Sequence, residues 1–240
     1  MSLKSRAKPP SPLKRFNSSP EVVRLVVMMY VRFPLSLRNV EDLLFERGSD
    51  ICHETFRFSW NRSGLMFAAD IKRRRINRMS GFRHWRWYLD EMFVKINGET
   101  HYLWRAVDHE GEILESYVTK KRGKSAALRF FKKTLKSQSG LAEIVTDGFK
   151  FYRSAMRELR IEDRRKMGRW LNNRVESSYL PLRRRERVMQ RIRRMKSLQK
   201  FASVHANVHN HFISDRHLTD RKTYKANRSA ALTEWQTLMA

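Results

Sequence analysis

The sequence predicts an α/β protein in which a small all-helical domain precedes a mixed β-sheet with flanking helices. Residues 18–62 repeat apolar side chains at helical spacing and carry helix-start signals. Residues 85–119 change to the alternating pattern of strands, with the hairpin dipeptide Asn97-Gly98 between the first two. An amphipathic helix then leads to a further β-branched run, and this order predicts a sheet that combines antiparallel and parallel pairs.

The composition is that of a folded and strongly basic protein. The 240 residues include 51 Lys+Arg against 24 Asp+Glu, a formal net charge of +27, while 41% of the residues are hydrophobic. This apolar content supports a core, so the charge favours a polyanionic partner, nucleic acid rather than a membrane surface. The single cysteine, Cys52, and the lack of an apolar run of about 18 residues predict a cytoplasmic protein without a membrane span.

The first segments of the chain are predicted to be an arm and a buried helix. Residues 1–17 are basic and proline-containing, and we expect a flexible arm. Ser18 and Glu21 stand at capping-box spacing and predict the start of a helix that is apolar nearly all round. Pro34 ends this helix, because the residue before a proline avoids the helical conformation.

A helix-turn-helix is predicted over residues 37–62. Its first helix follows Ser36 and ends at Gly48, a natural left-handed cap, and its second covers residues 51–62. Helix pairs with a glycine turn also occur in proteins that do not bind DNA, but the positive charge favours a DNA-binding domain at residues 18–69. Four residues are then expected to face the DNA groove: His53, Glu54, Arg57 and Asn61.

The arginine-rich residues 70–84 are predicted to be a basic linker, since the periodicity changes after them. The second domain is placed at residues 85–213 and a polar tail at 214–240. The second domain is predicted to begin with three strands that form an antiparallel meander, over residues 85–96, 100–107 and 113–119.

The rest of the second domain is predicted to alternate between helix and strand. A helix at residues 124–137 is followed by a strand at 142–147, which is expected to pair in parallel with the first strand. A helix near 151–159 follows. Residues 172–213 are predicted to be helical, with a break or kink at Pro181.

Asp90 is unusual because it shares a strand face with apolar side chains. An ionised carboxylate there is costly unless it is paired, hydrogen-bonded or metal-bound. Asp147 ends the strand expected beside it, so the two acids are candidates to share a divalent cation, with Glu176 as a third acid. Such oxygen ligands suit Mg²⁺ or Mn²⁺. Asp147 is equally typical of a turn, and Glu176 of a capping box that starts at Asn173.

Five segments carry a family resemblance: Tyr88-Leu-Asp90-Glu-Met-Phe-Val-Lys-Ile-Asn-Gly98, Tyr102-Leu-Trp-Arg-Ala-Val-Asp108, Ile144-Val-Thr-Asp147-Gly148, Asn172-Asn-Arg-Val-Glu176 and Arg183-Arg-Arg-Glu-Arg187. Together they resemble bacterial insertion-sequence transposases with a DDE catalytic triad, of the insertion-sequence family numbered six. The resemblance extends over nearly the whole chain. Tyr179 departs from it, since similar sequences often have histidine at this position.

The resemblance implies a ribonuclease-H-like fold for the second domain, with Asp90, Asp147 and Glu176 as catalytic residues and ligands of Mg²⁺ (or Mn²⁺). It implies two-metal phosphoryl transfer that cuts and joins DNA. A basic residue seven positions after the glutamate, here Arg183, is typical of the family. The charge of this helix also favours phosphate contacts by Arg184 and Arg187.

The partners implied by the resemblance are double-stranded DNA and further copies of the chain. The DNA comprises the terminal inverted repeats of the element and the target. Bringing two ends together requires a homodimer or a higher oligomer. The resemblance also implies a location in the bacterial cytoplasm, associated with the nucleoid. The alternative is a catalytically inactive helix-turn-helix regulator derived from such a transposase.

Overall fold

Five strands form one mixed sheet. The computed structural model describes residue 13 and residues 18–78, 86–138, 143–167, 173–188, 192–212 and 219–239. The strands are β1 (Arg86–Ile96), β2 (Glu99–Asp108), β3 (Ile113–Thr119), β4 (Glu143–Val145) and β5 (Arg165–Lys166). Their order is β3-β2-β1-β4-β5, with the first three antiparallel and β4 and β5 parallel to β1. This arrangement confirms the predicted α/β fold class and agrees with the implied ribonuclease-H-like fold.

Local sequence explains the hairpin and the two faces of the sheet. Asn97 and Gly98 have φ values of 52° and 86°, the left-handed conformation that the predicted turn requires. Along β1, side chains alternate as predicted. Trp87 and Leu89 join the core with α4 and α5, while Met92 faces the other core.

Eight α-helices surround the sheet or precede it in the described residues. They are α1 (Pro20–Arg32), α2 (Leu37–Phe45), α3 (His53–Arg78), α4 (Lys124–Ser137), α5 (Lys150–Glu158), α6 (Asn173–Val188), α7 (Met195–Phe212) and α8 (Arg221–Gln236). Ser19, rather than the predicted Ser18, caps α1, because its side chain accepts a hydrogen bond from the Val22 N–H. Ser36 caps α2 as predicted and forms a capping box with Asn39.

Helix α3 is longer than predicted and overturns part of the linker prediction. It runs to Arg78, so residues 70–78 are helical, and residues 79–85 lie outside the described part. Arg75 forms an ion pair of 2.9 Å with Glu112 of the β2–β3 turn, and Ile71 is buried. These tertiary contacts hold a basic segment in a helix, although its composition resembles a linker.

The helical region and one face of the sheet share a single core. Val27 and Phe67 belong to the same buried cluster as Met92 of β1 and Val204 of α7. The predicted arm at residues 1–17 lies outside the described residues except for Leu13, which is buried in this cluster. The two predicted domains therefore pack against each other without a solvated gap at this core.

The C-terminal part differs from the prediction in two places. Helix α6 passes through Pro181 and ends at Val188, so the break in the helical run follows Val188. The predicted polar tail contains α8, and Trp235 of this helix stacks on Phe67 with ring centroids 5.5 Å apart. Trp235, Leu238 and Met239 are buried in the main core cluster and attach this segment to the rest of the fold. Among the described helices, none combines the length and apolar composition that crossing a membrane requires.

Candidate active site

Asp90 and Asp147 lie side by side on neighbouring strands. β4 pairs with β1 in parallel, with Tyr88 opposite Val145. Each aspartate follows this pair by two residues, so the register carries both carboxyl groups to the same point of the sheet. Their oxygens and one of Glu91 all lie within 4.8 Å of one another. The structure therefore brings together two of the three predicted acids.

The surroundings of this acid pair oppose ionisation. Burial, and then the charges of Asp147 and Glu176, raise the pKa of Asp90 to about 6. A backbone hydrogen bond at Glu91 and the charge of Arg122 act in the opposite direction. Burial also raises the pKa of the Asp147 carboxyl group. Partly buried carboxylates that repel one another are strongly stabilised by a bound cation.

The residues present fit a divalent cation. Asp90 and Asp147 offer carboxylate oxygens, the ligand type that Mg²⁺ and Mn²⁺ prefer. The raised pKa of Asp90 indicates that nearby cationic side chains do not fully offset the negative charge and the burial. These two aspartates are the residues that would hold the ion.

Glu176 is near the acid pair but is not one of the acids within 4.8 Å. It is exposed in the first turn of α6, and its charge contributes to the raised pKa of Asp90. Helix α6 already includes Asn173, which is therefore not the N-cap residue that the capping-box alternative requires. Glu176 therefore does not act as the capping-box partner of Asn173.

Two buried side chains anchor α6 to the sheet. Arg105 of β2, directly opposite Asp90 in register, donates from Nη1 to the Ser178 carbonyl oxygen over 2.6 Å. The Tyr179 hydroxyl contacts backbone oxygens of β1 and β2. These contacts fix the helix turn that follows Glu176.

Glu91 is a residue of this site that sequence reasoning missed. Its position next to an aspartate in a buried strand was the available signal. Tyr152 donates a 2.5 Å hydrogen bond to Glu91 Oε2, and Arg122 Nη2 lies 2.6 Å from Oε1. Burial raises the pKa of Glu91 to about 7, although both partners lower it.

The four predicted groove-facing residues lie in the first half of α3. His53 Nδ1 is 2.7 Å from Glu41 Oε2 of α2, so this histidine fastens the two helices of the predicted helix-turn-helix. Arg57 and Glu54 are exposed and form an ion pair of 2.8 Å. Asn61 is exposed as well. Their contact with DNA stays a prediction.

The predicted basic residues of α6 are at its surface. Arg183, Arg184 and Arg187 are exposed. Because the helix continues through Pro181, Arg183 lies two turns from Glu176 on the same side. Arg185 differs from these, since it is buried and donates from Nε to the Tyr30 carbonyl oxygen of α1 over 2.5 Å.

Residues 84–215 match a family model described as a DDE domain. A transposase for the insertion sequence-like element IS431mec of Staphylococcus aureus is 30% identical over 134 residues, 56% of this chain and 57% of the relative. The S. aureus transposase for IS257 in transposon Tn4003 is 29% identical over the same shares. The chain thus covers somewhat more than half the length of these curated relatives.

One further relative and two solved structures also align with the chain. The uncharacterized protein MJ0017 of Methanocaldococcus jannaschii is 32% identical over 193 residues, 80% of this chain and 83% of the relative. The catalytic domain of Mos1 mariner transposase aligns with 11% identity and a TM-score of 0.36, covering 74% of this chain and 92% of that one. A chain of a simian T-cell lymphotropic virus intasome in complex with PP2A regulatory subunit B56 gamma aligns with 14% identity and a TM-score of 0.38, covering 53% and 48%.

Proposed function

The chain belongs to the DDE transposase family, and from this membership we propose that it binds the ends of an insertion sequence and catalyses metal-dependent DNA strand cleavage and strand transfer. The observation that carries the proposal is the pairing of Asp90 with Asp147 inside the matched domain. Two partly buried carboxylates at one point of a sheet are costly unless a bound ligand offsets their repulsion.

Asp90 and Asp147 would hold the ion, Mg²⁺ or Mn²⁺, and Glu176 would complete the set from α6. When bound, the ion supplies activation of a water or 3′-hydroxyl and stabilisation of the leaving oxygen. Glu176 lies in the first turn of its helix and affects Asp90 electrostatically, which supports its role as the third acid.

The basic surface of α6 would hold the DNA strand at the acids. Arg183 follows Glu176 by two helical turns and Arg187 by about three, so both lie towards the same exposed side. Phosphate contacts by these arginines would add a salt-dependent part to the affinity. Arg184 extends the same surface.

The complete reaction requires two element ends and therefore more than one copy of the chain. We propose that a homodimer or larger assembly joins terminal inverted repeats to target DNA, with end recognition by His53, Glu54, Arg57 and Asn61 of α3. The formal net charge of +27 supports a polyanionic partner. We also propose that the protein is cytoplasmic and associated with the nucleoid, and that it belongs to the insertion-sequence family numbered six.

The test is a nicking assay on duplex DNA that carries the element end, with Mg²⁺ or Mn²⁺. Asp90→Asn, Asp147→Asn and Glu176→Gln are each expected to lower the cleavage rate by at least about 100-fold while end binding in EDTA is retained. Asp163→Asn, which changes an exposed acid outside the acid group, is the matched control and should cleave like the wild type.

Two outcomes would overturn the assignment. Tight, end-specific binding without any nicking by the wild-type protein would instead support the inactive regulator. Nicking that persists in Asp90→Asn and Asp147→Asn would exclude the acid pair as the catalytic centre.

A further inference from the structure

We propose that Glu91 and Arg122 form a clamp that sets the position of Asp147 relative to Asp90. Both are positioning residues, and neither ligates the ion itself. The inference rests on the proposed function, because it explains how the metal-holding pair is kept in register.

Glu91 is placed as an anchor rather than as a ligand. Its side chain is 2% exposed, and each carboxylate oxygen already has a close partner. Oε2 accepts the hydrogen bond of the Tyr152 hydroxyl at 2.5 Å, and Oε1 lies 2.6 Å from Arg122 Nη2. Of the three acids within 4.8 Å, Glu91 is therefore the one whose oxygens are both occupied.

Arg122 connects this anchor to the loop that carries Asp147. Its guanidinium lies 3.7 Å from the centre of the Phe149 ring and 5.1 Å from that of Phe151. The Phe149 N–H in turn donates to Asp147 Oδ1 over 3.2 Å. A continuous series of contacts thus runs from Glu91 through Arg122 and Phe149 to the Asp147 carboxylate.

Tyr152 closes the clamp from the other side of the loop. It lies in the first turn of α5, which begins directly after Phe149, and its ring is fully buried. Before the loop, β4 is held by its pairing with β1. Both ends of residues 146–149 are therefore tied to β1, one through the backbone and one through Glu91.

The clamp and simple electrostatics predict opposite changes in cation affinity when Arg122 is replaced by a neutral residue. Removing a positive charge beside two carboxylates should by itself strengthen cation binding. Removing a residue that fixes the loop should weaken it, as outer contacts of metal ligands typically contribute roughly 10- to 100-fold in affinity. The sign of the change therefore separates the two explanations.

The experiment measures Mn²⁺ affinity of the full chain by calorimetry without DNA, and the Mg²⁺ concentration for half-maximal nicking. Arg122→Gln is expected to weaken Mn²⁺ binding about tenfold and to raise the half-maximal Mg²⁺ concentration to match. Arg122→Lys, which can still pair with Glu91 but cannot stack as a plane on Phe149, should lie between Arg122→Gln and wild type.

Two further variants protect the test against simple loss of folding. Tyr152→Phe keeps the buried ring and removes one contact to Glu91, so it should weaken Mn²⁺ binding in the same direction. Lys133→Ala is the matched control, because Lys133 also combines an ion pair, 3.2 Å from Glu115, with a ring contact, 5.2 Å from Tyr117. It should leave Mn²⁺ affinity unchanged.

Unchanged or tighter Mn²⁺ binding in Arg122→Gln would overturn the clamp. A wild-type protein that neither binds Mn²⁺ nor nicks DNA would overturn the proposed function itself. If the wild type binds Mn²⁺ and nicks DNA, and Arg122→Gln has the same metal dependence as the wild type, only the clamp proposal is rejected and the proposed function stands.

Discussion

The hydroxyl of Tyr179 lies 2.8 Å from the backbone oxygen of Asp90 and 3.2 Å from that of Leu103. The residue on α6 that follows Glu176 by about one turn is thus bonded to the main chain of the strand residue that carries the first acid. This buried tyrosine fixes the position of α6 relative to β1.

Tyr179→Phe is expected to lower the free energy of unfolding by about 1 kcal/mol, the usual contribution of a buried hydrogen bond. Nicking should fall roughly tenfold, because the turn that carries Glu176 loses its register. Chemical denaturation and the nicking assay measure the two effects. Tyr102→Phe is the control, since the Tyr102 ring packs on Phe93 of the same sheet, away from α6. Wild-type nicking by Tyr179→Phe would show that the hydroxyl does not position Glu176.

Arg105→Met should separate stability from activity. The guanidinium is fully buried, burial lowers its pKa to about 10, and Nε and Nη2 lack partners among the described residues. An apolar, unbranched replacement removes this desolvation cost, so the free energy of unfolding is expected to stay the same or to rise by about 1 kcal/mol. Nicking should nevertheless fall, because the bond to the Ser178 oxygen that anchors α6 is lost.

A clear loss of stability in Arg105→Met would show that the cation is compensated in the fold. The cation–π contact of the guanidinium with the Tyr179 ring, whose centre is 4.9 Å away, would then be the interaction that offsets the cost of burying the charge. The double variant with Tyr179→Phe serves as a check. If both residues act by holding α6, their effects on nicking should not add.

Trp235→Ala is expected to destabilise the protein by about 3–5 kcal/mol, as for other buried aromatic residues that are truncated to alanine. Trp235 is 2% exposed, stacks on Phe67 and donates from Nε1 to the Arg24 carbonyl oxygen over 3.1 Å. Phe45→Ala, at an aromatic side chain that is 65% exposed, should change the free energy of unfolding by less than about 0.5 kcal/mol. Equal effects in urea denaturation would contradict the docking of α8.

The strands and the helix of the first half of the sheet domain could be predicted because their signals are local. Asn97-Gly98 sets the hairpin, and the alternating pattern of β1 gave its two faces correctly. Helix α4 was predicted with its observed bounds, from an amphipathic stripe that needs no distant partner. The meeting of Asp90 with Asp147 followed from the expected parallel pairing of their strands.

The remaining elements depend on contacts between distant parts of the chain. The basic end of α3 is held by Arg75 and its ion pair with Glu112, which no local pattern indicates. β5 has two residues, too few for a periodic signal. Glu91 could be seen as a buried acid, but its partners are 31 and 61 residues away in the sequence, one in the loop before α4 and the other on α5.

Protonation of His209 should destabilise the folded state between pH 7 and pH 5. Burial, and then the charge of Arg105, lower the pKa of this imidazole from 6.5 to about 4, and the rings of His205 and His209 stack 5.9 Å apart. Burial, and then the charges of Arg105 from β2 and Arg185 from α6, lower the pKa of His205 as well. Between pH 6.5 and 4 the unfolded chain therefore binds a proton at position 209 that the folded chain does not, so the contribution of this group to stability falls as the pH falls.

This single group contributes a loss of about 2 kcal/mol at pH 5 relative to pH 8. Denaturation curves of wild type and His209→Gln at the two pH values isolate its part, because the other titrating groups are common to both proteins. The variant should lose less stability than wild type on going to pH 5 by about that amount. Identical losses in the two proteins would mean that His209 takes up its proton in the folded state as readily as in the unfolded chain, and hence that burial and Arg105 do not lower its pKa.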